Sequence, residues 1–236
     1  LLALIHAFLT VTLRANQVVS GLAVTLFGTG LSGYLGQDYV GQPAGAVFGK
    51  IAVPLLSDIP IIGSILCKQD ALVYISYFLV PLAAWYFYKT RSGLFLRAMG
   101  ENPAAVDAAG INVFGLRYLY IVVGGALAGV AGAYLSLAYA PSWLENMTAG
   151  RGWIAVALVI FALWDPWRAM AGSYLFGGID ALGFNLQVLG VPVSGFILNM
   201  LPYIFTVLVL VLVLKRRGGR SASPQALGLS YDREER

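Results

Sequence analysis

The sequence predicts an all-α fold, a polytopic bundle of transmembrane helices, and three observations carry that expectation. First, 59% of the 236 residues are hydrophobic and only 11% are charged, where a soluble domain carries about 25% charge. Second, the 28 glycines, roughly 12% of the chain against a usual ~7%, suit helices that approach one another closely in lipid. Third, the scarce charge lies at the ends of apolar runs long enough to cross a bilayer, rather than over a solvated shell. A soluble enzyme, a disordered chain and a disulfide scaffold are thereby excluded. The single Cys67 can form no internal bridge, and His6 is the one histidine. No catalytic residue and no metal-ligand set is expected.

The segments follow in order. Residues 1 to 13 are apolar from the first residue, with no initiator Met and no basic segment ahead of a cleavage site, so the chain is expected to be N-terminally incomplete. Residues 17 to 36 make one span, and 71 to 88 a second that ends on Trp85, Tyr86, Phe87 and Tyr88, an aromatic end suited to the headgroup belt. Residues 118 to 140 and 197 to 214 are the clearest spans, apolar along nearly their whole length. The run WIAVALVIFALW has twelve residues before Asp165-Pro166-Trp167-Arg168 interrupts it, about 18 Å of helix. It is either a short tilted span or a re-entrant half-helix, and 169 to 189 forms the next segment. About seven membrane segments result, in a transmembrane domain over 1–214 that contains a loop at 89–117. The tail, 215–236, is rich in Gly, Ser, Pro and mixed charge and is expected to be flexible.

Charge placement orients this arrangement. Of 15 Lys and Arg, Lys89, Arg91, Arg97 and Arg117 fall in the loop, and Lys215, Arg216, Arg217, Arg220, Arg233 and Arg236 in the tail. The positive-inside rule places both in the cytoplasm of a multi-pass protein of the cell membrane. The net charge of +4 thus reflects membrane topology and lipid contact rather than nucleic acid. Residues 37 to 70 lie outside, with Asp38, Lys50, Asp58, Lys68 and Asp70 roughly balanced.

Several motifs invite chemistry that their context denies. Gly28, Gly30 and Gly33 spell the dinucleotide pattern, but inside an apolar span, where helix packing is the better reading. Residues 45 to 51 approximate a phosphate loop with one residue missing and Ile51 in place of the Mg²⁺-binding Ser or Thr, so the chain holds no nucleotide or cofactor of its own. Gly125, Gly129 and Gly132 lie along one stripe of the 118–140 helix and predict a close-packing face. His6 reads as a packed or hydrogen-bonded histidine. Asp180, an ionisable residue inside a span, reads either as a pathway group or as a structural anchor. Asn16, Gln17 and Asn185 join it as candidate substrate-path residues, because amides at membrane depth are costly unless paired.

The loop is the most specified segment. Asn102 fits an N-cap, Pro103 the first helical position and Gly110 the stop, which predicts a helix over Pro103 to Ala109. So short a helix is marginal alone in water. Ala104, Ala105, Ala108 and Ala109 offer a low face that can enter a groove, while Arg97, Glu101 and Asp107 can fix orientation through charged hydrogen bonds. Docking into another protein is favoured over lying on headgroups, which needs large apolar and basic faces.

The stretches RANQVVSGLA (14–23), RAMGENPAAVDAAGINV (97–113), TAGRGWIAVALVIFALWDPW (148–167), LFGGIDAL (175–182) and MLPYIFTVLVLV (200–211) resemble the integral-membrane permease subunits of ABC importers. These belong to the group serving simple sugars, nucleosides and branched-chain amino acids, and the nucleoside branch is the nearest. The resemblance implies that Arg97, Gly100, Glu101, Asn102, Pro103, Ala104, Ala105, Asp107, Ala108 and Gly110 belong to a coupling helix seated in a cytosolic ATPase subunit. ATP and Mg²⁺ would be bound and hydrolysed on that subunit. It further implies a second permease subunit, identical or different, and an extracytoplasmic substrate-binding protein, lipid-anchored in the nucleoside branch. The competing reading from the residues is an ion-coupled secondary transporter with Asp180 as its coupling site.

Overall fold

The computed structural model describes residues 1–52, 66–148, 150–190, 194–216 and 223–233. The stretches that carry Asp58, Arg217, Arg220 and Arg236 lie outside the described residues. The chain is mostly helical, as its composition demands. Helix α1 (Leu2–Ala7) widens into a π-turn over Phe8–Thr12, and α2 (Gln17–Gly36) tightens into a 3₁₀ turn over Gln37–Tyr39. Then come α3 (Ala71–Lys89), α4 (Arg91–Glu101), α5 (Pro103–Ala108) and α6 (Val113–Tyr134), the last with a π-turn at Leu135–Tyr139. The final helices are α7 (Arg151–Ala162), α8 (Pro166–Val188) and α9 (Gly195–Arg216). Among the described residues, three helical stretches, Gln17–Tyr39, Ala71–Lys89 and Val113–Tyr139, are both long and apolar enough to span a bilayer, while Leu2–Thr12 and Arg151–Ala162 are apolar but shorter.

Helix starts are set by side chains that capture the free N–H groups of a first turn. Asn16 Oδ1 accepts from Val18 and Val19 N–H at 3.0 and 3.1 Å, and Asp70 Oδ1 does the same for Leu72 and Val73 at 3.0 and 3.1 Å. Asn112 Oδ1 accepts from Gly115 N–H at 3.0 Å, so α6 begins at Val113, five residues ahead of the apolar run that marks the span in the sequence. Between α7 and α8 the backbone turns through Leu163 (φ 56°) and Trp164 (φ 58°), both left-handed. Asp165 then accepts from Arg168 N–H at 2.9 Å to start α8. Its carboxyl is held below the usual carboxylate range by that backbone bond first and by the Tyr88 hydroxyl second.

Two compact units divide the chain. In the first, formed by 1–79, 91–149 and 225–236, α1 packs against both α2 and α6. A Cβ on Gly125 of α6 would overlap the Ala3 side chain, and one on Gly28 of α2 would press on Leu2. Gly129 and Gly132, from the same stripe as Gly125, meet no other element within 4 Å among the described residues. The G-x-G-x-x-G pattern thus lies inside a continuous helix, with Gly28 serving α1. His6 Nδ1 and Ser20 Oγ, 2.9 Å apart, join α1 to α2, which is the hydrogen-bonded histidine its surroundings suggested.

One departure from an all-α chain is a short hairpin. Lys50–Ala52 (β1) pairs antiparallel with Lys68–Asp70 (β2), Lys50 opposite Asp70. It lies in the segment between α2 and α3, where Phe48 N–H and Ala44 N–H also bond to the Leu137 and Pro141 carbonyls at 3.1 Å. In the second unit, 80–90 and 150–224, α7, α8 and α9 pack on one another. Phe176 meets Phe205 edge to face with ring centres 5.4 Å apart.

The Gly125 contact generates a clear expectation. Gly125→Leu should lower the thermal midpoint of the detergent-solubilised protein by an amount equivalent to about 1–3 kcal/mol, the usual range for overpacking. Gly30→Leu, at a position of α2 with nothing within 4 Å, should move it far less in the same melting experiment.

Candidate functional site

The loop between α3 and α6 folds into two helices. Sequence reading misses the first, α4, because Gly93 and Gly100 interrupt its apolar rhythm and it is too short and charged to resemble a span. Its signal is Gly93, Leu96 and Met99 at spacings of three, the helical face that turns inward. The second, α5, has the ends its sequence specifies. Asn102 Oδ1 accepts from Ala105 N–H at 3.1 Å, and Pro103 opens the helix. At the far end Ile111 N–H bonds to Val106 O at 3.3 Å and Gly110 N–H to Asp107 O at 2.9 Å, the paired closure that needs a left-handed residue. Gly110, at φ 81°, supplies it.

These two helices share a small core. Met99, Val106 and Val113 are buried together, with Leu96, Ala98, Ile111, Leu116 and Tyr120 around them. Val106 is therefore the anchor of α5, and the opposite face is left to solvent. Ala104, Ala105, Ala108, Glu101 and Asn102 are exposed, and so is Arg97 on α4.

The C-terminal segment completes this core, in contrast to the free tail expected from its composition. Tyr231 packs on the Met99, Val106 and Val113 cluster, and its ring lies 5.8 Å from that of Phe114. Its hydroxyl donates to Asp107 Oδ2 at 3.0 Å, and Arg233 reaches the same carboxylate with Nε and Nη2 at 2.6 to 3.1 Å. Asp107 holds the Arg233 guanidinium above its ordinary value through these hydrogen bonds first and its charge second. Contacts of one half-buried aromatic ring, together with a forked charge pair, favour the ordering of a few residues, which polar composition alone does not reveal. Asp107, expected to orient a partner, is thus satisfied within the chain.

The residues expected to line a path fall in both units. Asn16 is consumed in capping α2, and Gln17 Nε2 donates to the Leu229 carbonyl at 3.4 Å, beside the tail. Both belong to the first unit, whereas Asp180 and Asn185 lie on α8 in the second. Asp180 Oδ2 sits 3.6 Å from Arg151 Nη2, and Asn185 returns its amide to the Ala181 carbonyl at 2.8 Å. Each of these polar groups thus has a local partner. A different cluster, missed in the sequence, lines a groove of about 310 Å³ at the end of α2 remote from Asn16: Thr29, Tyr34, Gln37, Trp143 and Glu145.

Comparison with known proteins follows the same lines. Residues 1–214 match the family described as branched-chain amino acid transport system / permease component. A putative glucose ABC transporter permease protein of Haloferax volcanii is 40% identical, the alignment covering 99% of this chain and 78% of that protein. A nucleoside ABC transporter permease protein of Lactococcus lactis subsp. cremoris is 39% identical over 96% of this chain and 72% of its own length. A guanosine ABC transporter permease protein of Bacillus subtilis is 32% identical, with 98% and 73% covered. No solved structure matches the chain.

The cap at Asn102 can be tested directly. Asn102→Ala should cost about 1 kcal/mol of local stability, read as faster amide exchange at residues 104 to 109, and Asn102→Asp should retain most of the protection.

Proposed function

Because the chain belongs to the permease-component family of the branched-chain amino acid transport systems, we propose that it carries nucleosides, or related simple sugars, across the cell membrane. It is a multi-pass permease subunit of an ABC importer, a transporter component rather than an enzyme. In the proposed arrangement ATP and Mg²⁺ are bound on a separate cytosolic ATPase, and α5 seats in that subunit. Closure of the ATPase pushes on residues 101 to 110 and reorients the spans. A second permease subunit, identical or different, completes the path, and an extracytoplasmic binding protein, lipid-anchored, delivers the solute. About seven crossings, with 89–117 and the C-terminus in the cytoplasm, satisfy the distribution of Lys and Arg.

The observation that carries the coupling assignment is the geometry of α5. A helix of six residues, about 9 Å long, is held by Val106 from behind and presents exposed alanines in front. A face without bulk or charge is suited to enter a cleft, and its firm attachment lets a push be passed on. For the solute, the names of the sugar and nucleoside relatives supply the class, and the groove beside Tyr34 supplies matching chemistry. Aromatic faces stack on bases or sugar rings, while Thr29, Gln37 and Glu145 can bond hydroxyls.

Ala104→Arg and Ala105→Arg should each reduce co-purification of the ATPase and ATP-driven uptake by about tenfold or more, the scale of an interface hot spot. Retention of both in both variants removes the coupling assignment. Tyr34→Ala should raise the half-saturating concentration of the carried ribonucleoside or glucose about fivefold, the scale of one lost ring contact. An unchanged value in proteoliposome uptake excludes the groove from the solute's route.

A further inference from the structure

We propose that the C-terminal segment 226–233 is a clasp that ties the coupling helix to the membrane helices, with Tyr231, Asp232 and Arg233 as positioning residues for energy transfer. The inference rests on the importer reading above.

Five residues of this segment make contact with four helices and with Arg14. Ala226 N–H donates to the Gly100 carbonyl at the end of α4, at 2.9 Å. The Leu229 carbonyl accepts from Arg117 Nη1 of α6 at 3.0 Å and from Gln17 Nε2 of α2 at 3.4 Å. Tyr231 and Arg233 hold Asp107 of α5, whose side chain is 9% exposed. Asp232 accepts from Nη1 and Nη2 of Arg14, the residue that precedes α2 by three positions and sits in the left-handed region at φ 54°. A non-glycine residue keeps that conformation only where its surroundings hold it, and the forked pair with Asp232 is one such restraint. Two cation–π contacts reinforce the arrangement, Arg117 over Tyr231 at 6.0 Å and Arg233 over Phe114 at 5.7 Å.

The side of α5 that the clasp uses decides what it does. It grips Asp107 and packs at Val106, leaving Ala104, Ala105 and Ala108 exposed. A segment that occupied the alanine face would compete with a partner. One that binds behind it makes displacement of α5 pull on the starts of α2 and α6. Val106, packed on Met99 and Val113, links α5 to α4 and, among the long apolar helices described, to α6. The clasp adds α2, by way of Arg14 and Gln17, so the two helices are moved together.

The test uses the full-length permease with its ATPase in proteoliposomes. Uptake of a labelled ribonucleoside or of glucose is measured per ATP hydrolysed, with retention of the ATPase and amide exchange at residues 103 to 109. Arg14→Asp and Asp232→Arg alone should each lower uptake per ATP about fivefold while the ATPase stays bound, and the combined swap should return it to within about twofold of wild type, as expected for a directly interacting pair. Arg233→Lys should retain more uptake per ATP than Arg233→Glu. Unchanged uptake per ATP in the single variants, increased uptake as for an autoinhibitory tail, or a swap no better than its parents overturns the clasp. Failure to carry either probe in the wild type sinks the nucleoside or sugar assignment instead. The clasp is then judged on amide exchange alone, faster in the single variants and restored in the swap if it exists, unaltered if it does not.

Discussion

The structure depends on one recurring constraint: a helix that starts at or near a membrane must satisfy its first N–H groups without the help of bulk water. At five of the described helices the answer is the same, an Asn or Asp side chain one residue before the helix, whereas α1 and α7 begin without a side-chain cap. Asn16, Asp70, Asn102, Asn112 and Asp165 each accept from the first turn of the helix that follows. Because each cap is covalently tied to the segment before it, each also sets the direction in which the chain enters. Five such joints define where spans begin, where the loop helix sits and where the 163–165 break occurs.

This constraint is most consequential between α3 and α6. Asn102 and Asn112 bracket α5, Gly110 closes it, and the three together leave Val106 no choice but to face Met99 and Val113. A six-residue helix gains stability from that burial rather than from its own hydrogen bonds. The C-terminal segment then adds Tyr231 and a charge pair to the same core. The outcome is a short, firmly mounted surface of alanines, and the proposed transfer of force from a cytosolic partner draws on that mounting.

The sequence made much of this legible because the strongest signals are local. Apolar length and Pro, Gly and Asn punctuation placed α2, α3, α8 and α9 within a few residues of where they lie, and the Asn102-Pro103 pair with Gly110 placed α5 almost to the residue. Helix α4 was not legible, since glycines obscure its inward face. The hairpin at 50–52 and 68–70 was not legible either, because its pairing joins residues separated by an unpatterned stretch. For Asn16, Gln17 and Asp107 the residue type announced a need for partners, but not which partners. They proved to be a backbone turn, the Leu229 carbonyl, and Tyr231 with Arg233.

By itself, then, the sequence determined a helical membrane protein, the ends of most of its helices and the shape of the loop helix, all consequences of hydrophobic length and of interactions within four residues. Only the tertiary structure decided that Gly125, and not Gly129 or Gly132, accepts a neighbouring helix, and that Asp180 is paired with Arg151. It also decided that residues 226–233 of the polar, charged tail lie against the loop. Each of these outcomes is a contact between residues far apart in the chain, where one ring or one carboxylate outweighs composition, and no local pattern encodes which distant group will arrive.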